Sequence, residues 1–169
     1  VILGLDGAAA GSPPPVDLEV EKRNAAFVRK LIQDGLVNAV HDISEGGVAC
    51  AVADMALASG IGVDVDIDSA FFAATGRPPV GAVLSSLMFC EDQGRYVIAA
   101  SAANAVRIEA AARRADVPVS INGSAGRWNT TKTISLHDDA SDRGVIDLPL
   151  SPLRAAHEGW LPRYMKGEG

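Results

Sequence analysis

The residues with the most chemical potential lie in two short runs. The first is His41-Asp42-Ile43-Ser44-Glu45-Gly46-Gly47. It sets an imidazole, two carboxylates and a hydroxyl directly ahead of two glycines and an alanine-rich stretch. Glycines let a ligand approach the backbone closely. The first N–H groups of a helix have no partner inside it and favour an anion. His41 and Asp42 could position or polarise a neighbour, while Ser44, Gly46 and Gly47 frame a bound group. The alternative is local: Ser44 or Asp42 caps the helix, and the two glycines permit tight packing on a sheet. No Gly-Lys-Ser/Thr follows, so the run is not a Walker loop.

The second run is Glu91-Asp92-Gln93-Gly94-Arg95-Tyr96, polar residues between two apolar stretches. Glu91, Asp92, Gln93 and Arg95 could grip a polar ligand or a partner domain. A tight turn with Gly94 at positive φ and Arg95 in a salt bridge accounts for the same residues. Other constellations carry less. Asp64, Asp66 and Asp68 alternate along one strand and read as a solvated face. Asp138, Asp139 and Asp142 lack the glycine and closing glutamate of a calcium loop. His137 reads as a surface residue, His157 as packed beside Trp160, and Cys50 as a small core residue. No G-x-S-x-G elbow is present.

The elements that must position these runs follow from periodicity and punctuation. Val1–Leu5 is a short strand, and residues 7–15 form a loop in which three successive prolines block helix. Asp17 is an N-cap for a helix from Leu18 to about Asp34, closed by Gly35. Val20, Phe27, Val28, Leu31 and Ile32 share its apolar face. A strand over Leu36–Ile43 leads through the first run into a helix over about Gly46–Ser59. Val63–Asp68 alternates as a half-buried strand, Arg95–Ala100 is another, and Ser101 caps a helix over Ala102–Ala115. Val117–Ile121, Thr131–Leu136 and Gly144–Leu148 read as strands. Ser151-Pro152 starts a C-terminal helix whose Leu153, His157, Trp160, Leu161 and Tyr164 fall at i, i+4, i+7, i+8 and i+11, with Pro162 breaking or bending it near its end.

The fold class is therefore α+β. A mixed sheet carries a ferredoxin-like βαββαβ succession with helices packed on it, extended by C-terminal strands and a helix. Residues 1–169 form a single domain, with 1–16 an entry strand and loop and 17–169 the globular body. The 169 residues are 48% hydrophobic and 21% charged, enough for a sizeable core, but only 5% aromatic, so alanine, valine, isoleucine and leucine must build it. A net charge of −6 without a basic run argues against nucleic acid or a membrane surface as partner. Two cysteines forty positions apart read as free thiols in a reducing cytosol. No run suffices to cross a bilayer, and no signal peptide opens the chain, so it reads as cytoplasmic. Starting at Val1 with a strand at once, it reads as a piece of something longer.

Several runs together carry a resemblance. Pro13-Pro14-Pro15-Val16-Asp17-Leu18-Glu19, Glu21-Lys22-Arg23-Asn24, Val40 to Gly47, Glu91 to Tyr96 and His157-Glu158-Gly159-Trp160-Leu161-Pro162 resemble the synthetase subunits of the phosphoribosylformylglycinamidine synthase family. The D-[IL]-S-[DE]-G-G junction is shared with the wider superfamily of aminoimidazole ribonucleotide synthetase. The resemblance implies the C-terminal domain of the second of two fused halves. It implies a ligase of purine biosynthesis, in which ATP activates the amide oxygen of formylglycinamide ribonucleotide and ammonia displaces the phosphate. ATP and Mg²⁺ would be bound mainly by other domains of that polypeptide and neither by this chain alone, so the isolated fragment is expected to be inactive. A glutaminase subunit and a small third subunit are the implied partners. In the first half a Glu-Ser-Gln run touches the ribonucleotide, and Glu91-Asp92-Gln93 lies at what looks like the equivalent position. Two departures stand out: the loop before the prolines is short, and Cys90 replaces a glycine usual before E-D-Q. A ligand-sensing or structural assembly module on the same scaffold is the alternative.

Overall fold

The computed structural model describes residues 2–3, 9–10, 16–66, 88–126, 132–138 and 143–167. These fall into two compact units, Val1–Val52 with Val80–Ile121 and Ala53–Pro79 with Asn122–Gly169.

The first unit opens with β1 (Ile2–Leu3) paired antiparallel with β2 (Ala9–Ala10). Helix α1 (Leu18–Gln33) starts where the sequence sets its cap: Asp17 Oδ1 accepts from the N–H groups of Glu19 and Val20, each at 3.1 Å. Glu19 and Glu21 in its first turn and Lys30 in its last complement the helix dipole. Asp34 caps the C-terminus, and Gly35 follows at φ +65°. The helix buries Val28 and Leu31, half-buries Phe27, and turns Ile32 to solvent. The inward stripe is thus narrower than the periodicity suggests.

Strand β3 (Ala39–Asp42) pairs antiparallel with β5 (Tyr96–Ala99), His41 opposite Val97 and Asp42 opposite Tyr96. Helix α3 (Ala102–Ala115) begins where Ser101 Oγ accepts from the Asn104 N–H at 3.3 Å. Its Ile108 closes a core with Leu31 and Leu36, against which Phe27, Ile98 and Val119 pack. Burying a leucine such as Leu31 is worth about 2 kcal/mol. Val119 packs there without a ladder, for residues 117–121 form no strand, contrary to expectation.

Helix α2 (Gly47–Ser59) starts in the first unit and ends in the second. In the second unit β4 (Val63–Asp66) lies between β6 (Gly123–Ala125), antiparallel, and β7 (Thr133–Asp138), parallel. Strand β8 (Arg143–Pro149) pairs antiparallel with β7 and completes a mixed sheet of order β6-β4-β7-β8. Among the described residues the central elements run β3-α2-β4-β5-α3-β6, with the strands divided between these two ladders. Ile134 and Leu136 are buried, so their register partners Val63 and Val65 share the inner face. Asp64 and Asp66 project from the other, where Asp64 Oδ1 meets His137 Nε2 at 3.3 Å. Asp68, Asp139 and Asp142 lie outside the described residues.

The C-terminal helix α4 (Leu150–Met165) departs from expectation at both ends. Pro149, not Ser151, is its N-cap, and the helix runs on through Pro162. Leu150 is its buried residue, while His157, Trp160, Leu161 and Tyr164 are exposed. Arg154 donates to the Leu57 carbonyl at the end of α2 and pairs with Glu158, which pins the first turns. Among the described residues no helix is long and apolar enough to cross a membrane.

Candidate functional site

Antiparallel pairing of β3 with β5 places Asp42 opposite Tyr96, so the ends of both polar runs emerge at one edge of the same ladder. The turn after β3 closes through Gly47 N–H donating to the Ser44 carbonyl at 3.1 Å. Gly46 and Gly47 sit at φ +76° and +67°, conformations that side chains rarely adopt. A Cβ on Gly47 would lie 2.6 Å from the Met88 carbonyl oxygen and 2.8 Å from that of Cys90. The turn therefore rests directly on the backbone of residues 88–90.

Glu91 locks this contact. Its Oε1 accepts from the Gly46 N–H at 2.9 Å, immediately ahead of α2. The carboxylate thus takes an N–H group that the sequence offers to a bound anion, and it bonds where Ser44 or Asp42 was expected to cap. Neither Ser44 Oγ nor the Asp42 carboxylate bonds the start of α2 among the described residues, and both side chains are exposed. His41 Nδ1 lies 2.6 Å from the Asp42 carbonyl oxygen. Since a carbonyl only accepts, Nδ1 is the donor in this contact.

The second run folds on itself as a turn with Gly94 at φ +71°. Gln93 Nε2 donates to the Glu91 carbonyl at 3.2 Å, and Arg95 Nη2 to the Cys90 carbonyl at 3.1 Å, with Cys90 Sγ 3.2 Å from the same nitrogen. Asp92 Oδ2 stands 3.8 Å from that thiol. Helix α1 reaches this turn as well: Asn24 Nδ2 donates to the Gly94 carbonyl at 3.0 Å. An open cleft of about 400 Å³ lies alongside, lined among others by Glu21, Lys22, Asp42, Gln93, Arg95 and Tyr96. It offers two cations, two carboxylates, an amide and a phenol, a set suited to a polar ligand.

The structure thus brings Gly46, Gly47 and Glu91 into direct contact and sets Asp42 and Gln93 on one cleft. His41 and Ser44 stay beside the turn without reaching Glu91 by any hydrogen bond among the described residues. The contribution of α1, through Glu21, Lys22 and Asn24, was not expected from spacing. Only the folded chain shows that Glu21 and Lys22 line the cleft and that Asn24 reaches the Gly94 turn. Among the described residues no group of three or more His, Cys, Asp or Glu could hold a metal ion.

Comparison with protein families matches residues 3–127 to "AIR synthase related protein, C-terminal domain". The chain belongs to this family. Beyond this AIR synthase-related domain, the match to curated relatives extends over nearly the whole sequence. It is 42% identical over 159 residues to phosphoribosylformylglycinamidine synthase subunit PurL of Methylocella silvestris, covering 94% of this chain and 19% of that protein. To the PurL subunit of Rhizobium meliloti it is 38% identical over 164 residues, 97% of this chain and 19% of the relative. The chain therefore spans about a fifth of the length of these relatives. Among solved structures, PurL of T. maritima complexed with FGAR superposes with a TM-score of 0.69 at 20% identity, covering 88% of this chain and 23% of that one. The PurLQS structure from Thermotoga maritima gives a TM-score of 0.64 at 19% identity, over 80% of this chain and 22% of that one. These superpositions place the AIR synthase-related domain in the mixed α/β fold of those proteins.

Proposed function

We propose that this chain is the C-terminal domain of a phosphoribosylformylglycinamidine synthase. In that reading it belongs to an ATP-dependent ligase that turns formylglycinamide ribonucleotide and glutamine-derived ammonia into formylglycinamidine ribonucleotide in purine biosynthesis. The observation that carries this reading is the 42% identity to a PurL subunit over 94% of the chain. The joining of Gly46–Gly47 to Glu91 supports it from the structural side, because two runs far apart in sequence form one surface.

The domain's own part is binding and orientation. Asp42, Gln93, Arg95 and Tyr96 on the cleft supply acceptors, donors and an aromatic face for a polar substrate or for a neighbouring domain. Holding a substrate in place converts part of an activation barrier into binding energy already spent, which is a substantial share of catalysis in positioning-dominated enzymes. ATP and Mg²⁺ are held mainly by the rest of the polypeptide, and ATP supplies the phosphoryl group that makes the amide oxygen a leaving group. Further partners on this reading are a glutaminase subunit, which supplies ammonia, and a small third subunit, in a cytoplasmic complex. The residues form one domain of the larger chain, with 17–169 as its body.

The test is an assay of ADP release with formylglycinamide ribonucleotide, ATP and ammonia. The full polypeptide that carries these residues is expected to turn over, and the 169-residue chain alone is not. Turnover by the isolated chain at the rate of the full polypeptide contradicts the assignment.

A second reading has one specific observation in its favour. Glu91 and Gln93 spend their side chains on the Gly46 N–H and the Glu91 carbonyl, as a structural assembly element would. Under it, Gln93→Ala in the full polypeptide leaves the Michaelis constant for the ribonucleotide unchanged and weakens assembly instead.

A further inference from the structure

Helix α4 turns its largest apolar side chains outward. Trp160, Leu161, Tyr164 and Met165 are 60%, 56%, 62% and 76% exposed. The Trp160 and Tyr164 rings stack with centroids 5.2 Å apart and planes 14° from parallel. Leu161 and Met165 repeat the same i, i+4 spacing one position on, so the four form a continuous strip over the last turns. Single exposed apolar residues are ordinary, but a contiguous strip with two aromatic rings marks an interaction surface. The helix that presents it is anchored. Leu150 is buried, its N–H donates to the Lys132 carbonyl at 2.8 Å, and Arg154 bonds the Leu57 carbonyl.

The comparisons point to what covers it. The family match ends at residue 127, before β7, β8 and α4. The Rhizobium meliloti relative matches over 164 residues, and so includes Trp160, Leu161 and Tyr164 wherever the ends of that match fall. Helix α4 thus lies in the stretch that this chain aligns with a polypeptide about five times as long, and beyond the stretch matched to the family domain. Arg163, one residue before Tyr164 on the helix, makes no ion pair among the described residues.

We propose that Trp160, Leu161, Tyr164 and Met165 form a docking surface on which the remaining part of the synthetase polypeptide packs, through a patch apolar at its centre and carboxylate-bearing at its rim. This rests on the assignment to a longer synthetase. Aromatic residues in desolvated pockets dominate binding at such contacts, so Trp160 and Tyr164 are its anchors.

Hydroxyl-radical footprinting of the full-length polypeptide that carries these residues tests it. Trp160, Tyr164 and Met165 are expected to be modified at least five-fold more slowly than fully exposed side chains of the same types, at every protein concentration. In the double variant Trp160→Ser, Leu161→Asp, whose positions are exposed in this domain, modification of Tyr164 and Met165 is expected to rise to the exposed rate. Modification of the unsubstituted strip at the exposed rate overturns the proposal. Protection that appears only as concentration rises also overturns it, since a second copy is then the occupant. A protected strip in a polypeptide that forms no formylglycinamidine ribonucleotide rejects the assigned reaction and upholds the docking; an active polypeptide with an exposed strip does the reverse.

Discussion

The Gly46 N–H donates to Glu91 Oε1 at 2.9 Å, across 45 positions of sequence. This single bond joins the two polar runs into one surface at the edge of the β3–β5 ladder. It also makes the carboxylate part of the frame. A ligand anion that takes the Gly46 N–H must first displace Glu91, because the two compete for the same donor.

Replacing Glu91 separates charge from connectivity. Glu91→Gln keeps an oxygen that can accept from Gly46, whereas Glu91→Ala leaves the N–H to water. The side chain is exposed, so the charge-assisted bond is screened, and Glu91→Ala is expected to cost about 1 kcal/mol of stability. Glu91→Gln is expected to cost less than half of that, as read by urea denaturation. Equal losses for the two variants show that the bond does not hold the turn.

Close approach at Gly47 gives a sharper contrast. Gly47 and Gly35 have nearly the same φ, +67° and +65°, yet a Cβ on Gly35 meets nothing within 4 Å while one on Gly47 meets two carbonyl oxygens. Gly35→Ala is expected to cost about 1 kcal/mol, the strain of the left-handed conformation alone. Gly47→Ala must also push residues 88–90 away and is expected to cost about 3 kcal/mol or more. Thermal unfolding of the two variants measures the difference, and similar losses refute the packing role.

Helix caps test where the sequence is a safe guide. Asp17→Ala and Ser101→Ala each remove a side-chain acceptor seen at the start of a helix and are expected to cost about 1 kcal/mol. Ser151→Ala is expected to be neutral, because Pro149 is the N-cap of α4. A loss of similar size at Ser151 places the start of that helix where the sequence alone puts it.

The same contrast explains what could be read in advance. The caps at Asp17 and Ser101, the end of α1 at Gly35 and the turn at Gly94 are settled by bonds within a few residues, and local residue types reveal them. Strand pairing is not local. Val117–Ile121 has the composition of a strand, but it forms no strand among the described residues, and its Val119 packs on the α1–α3 core. The bond between Gly46 and Glu91 has no signature in either run alone. On α4, apolar spacing identified a face correctly but not its direction. Periodicity shows that a stripe exists, and only the surrounding chain decides whether Trp160 and Tyr164 point to a core or to solvent.

In the core, Leu31→Ala is expected to cost about 3 kcal/mol, since Leu31 is nearly inaccessible between Leu36 and Ile108. Its neighbour Ile32 is 54% exposed, and Ile32→Ala is expected to cost no more than about 0.5 kcal/mol. Chemical denaturation of both variants fixes which face of α1 carries the fold.

The most direct test of the proposed role is kinetic. Gln93 lines the cleft and is exposed, so Gln93→Ala perturbs the surface and leaves the core intact. Steady-state ADP release by the full synthetase polypeptide, titrated with formylglycinamide ribonucleotide, is expected to show a Michaelis constant raised about ten-fold, as for a lost polar contact of about 1.4 kcal/mol, at an unchanged unfolding temperature. A Michaelis constant equal to that of the unsubstituted polypeptide contradicts a substrate-binding role for this surface.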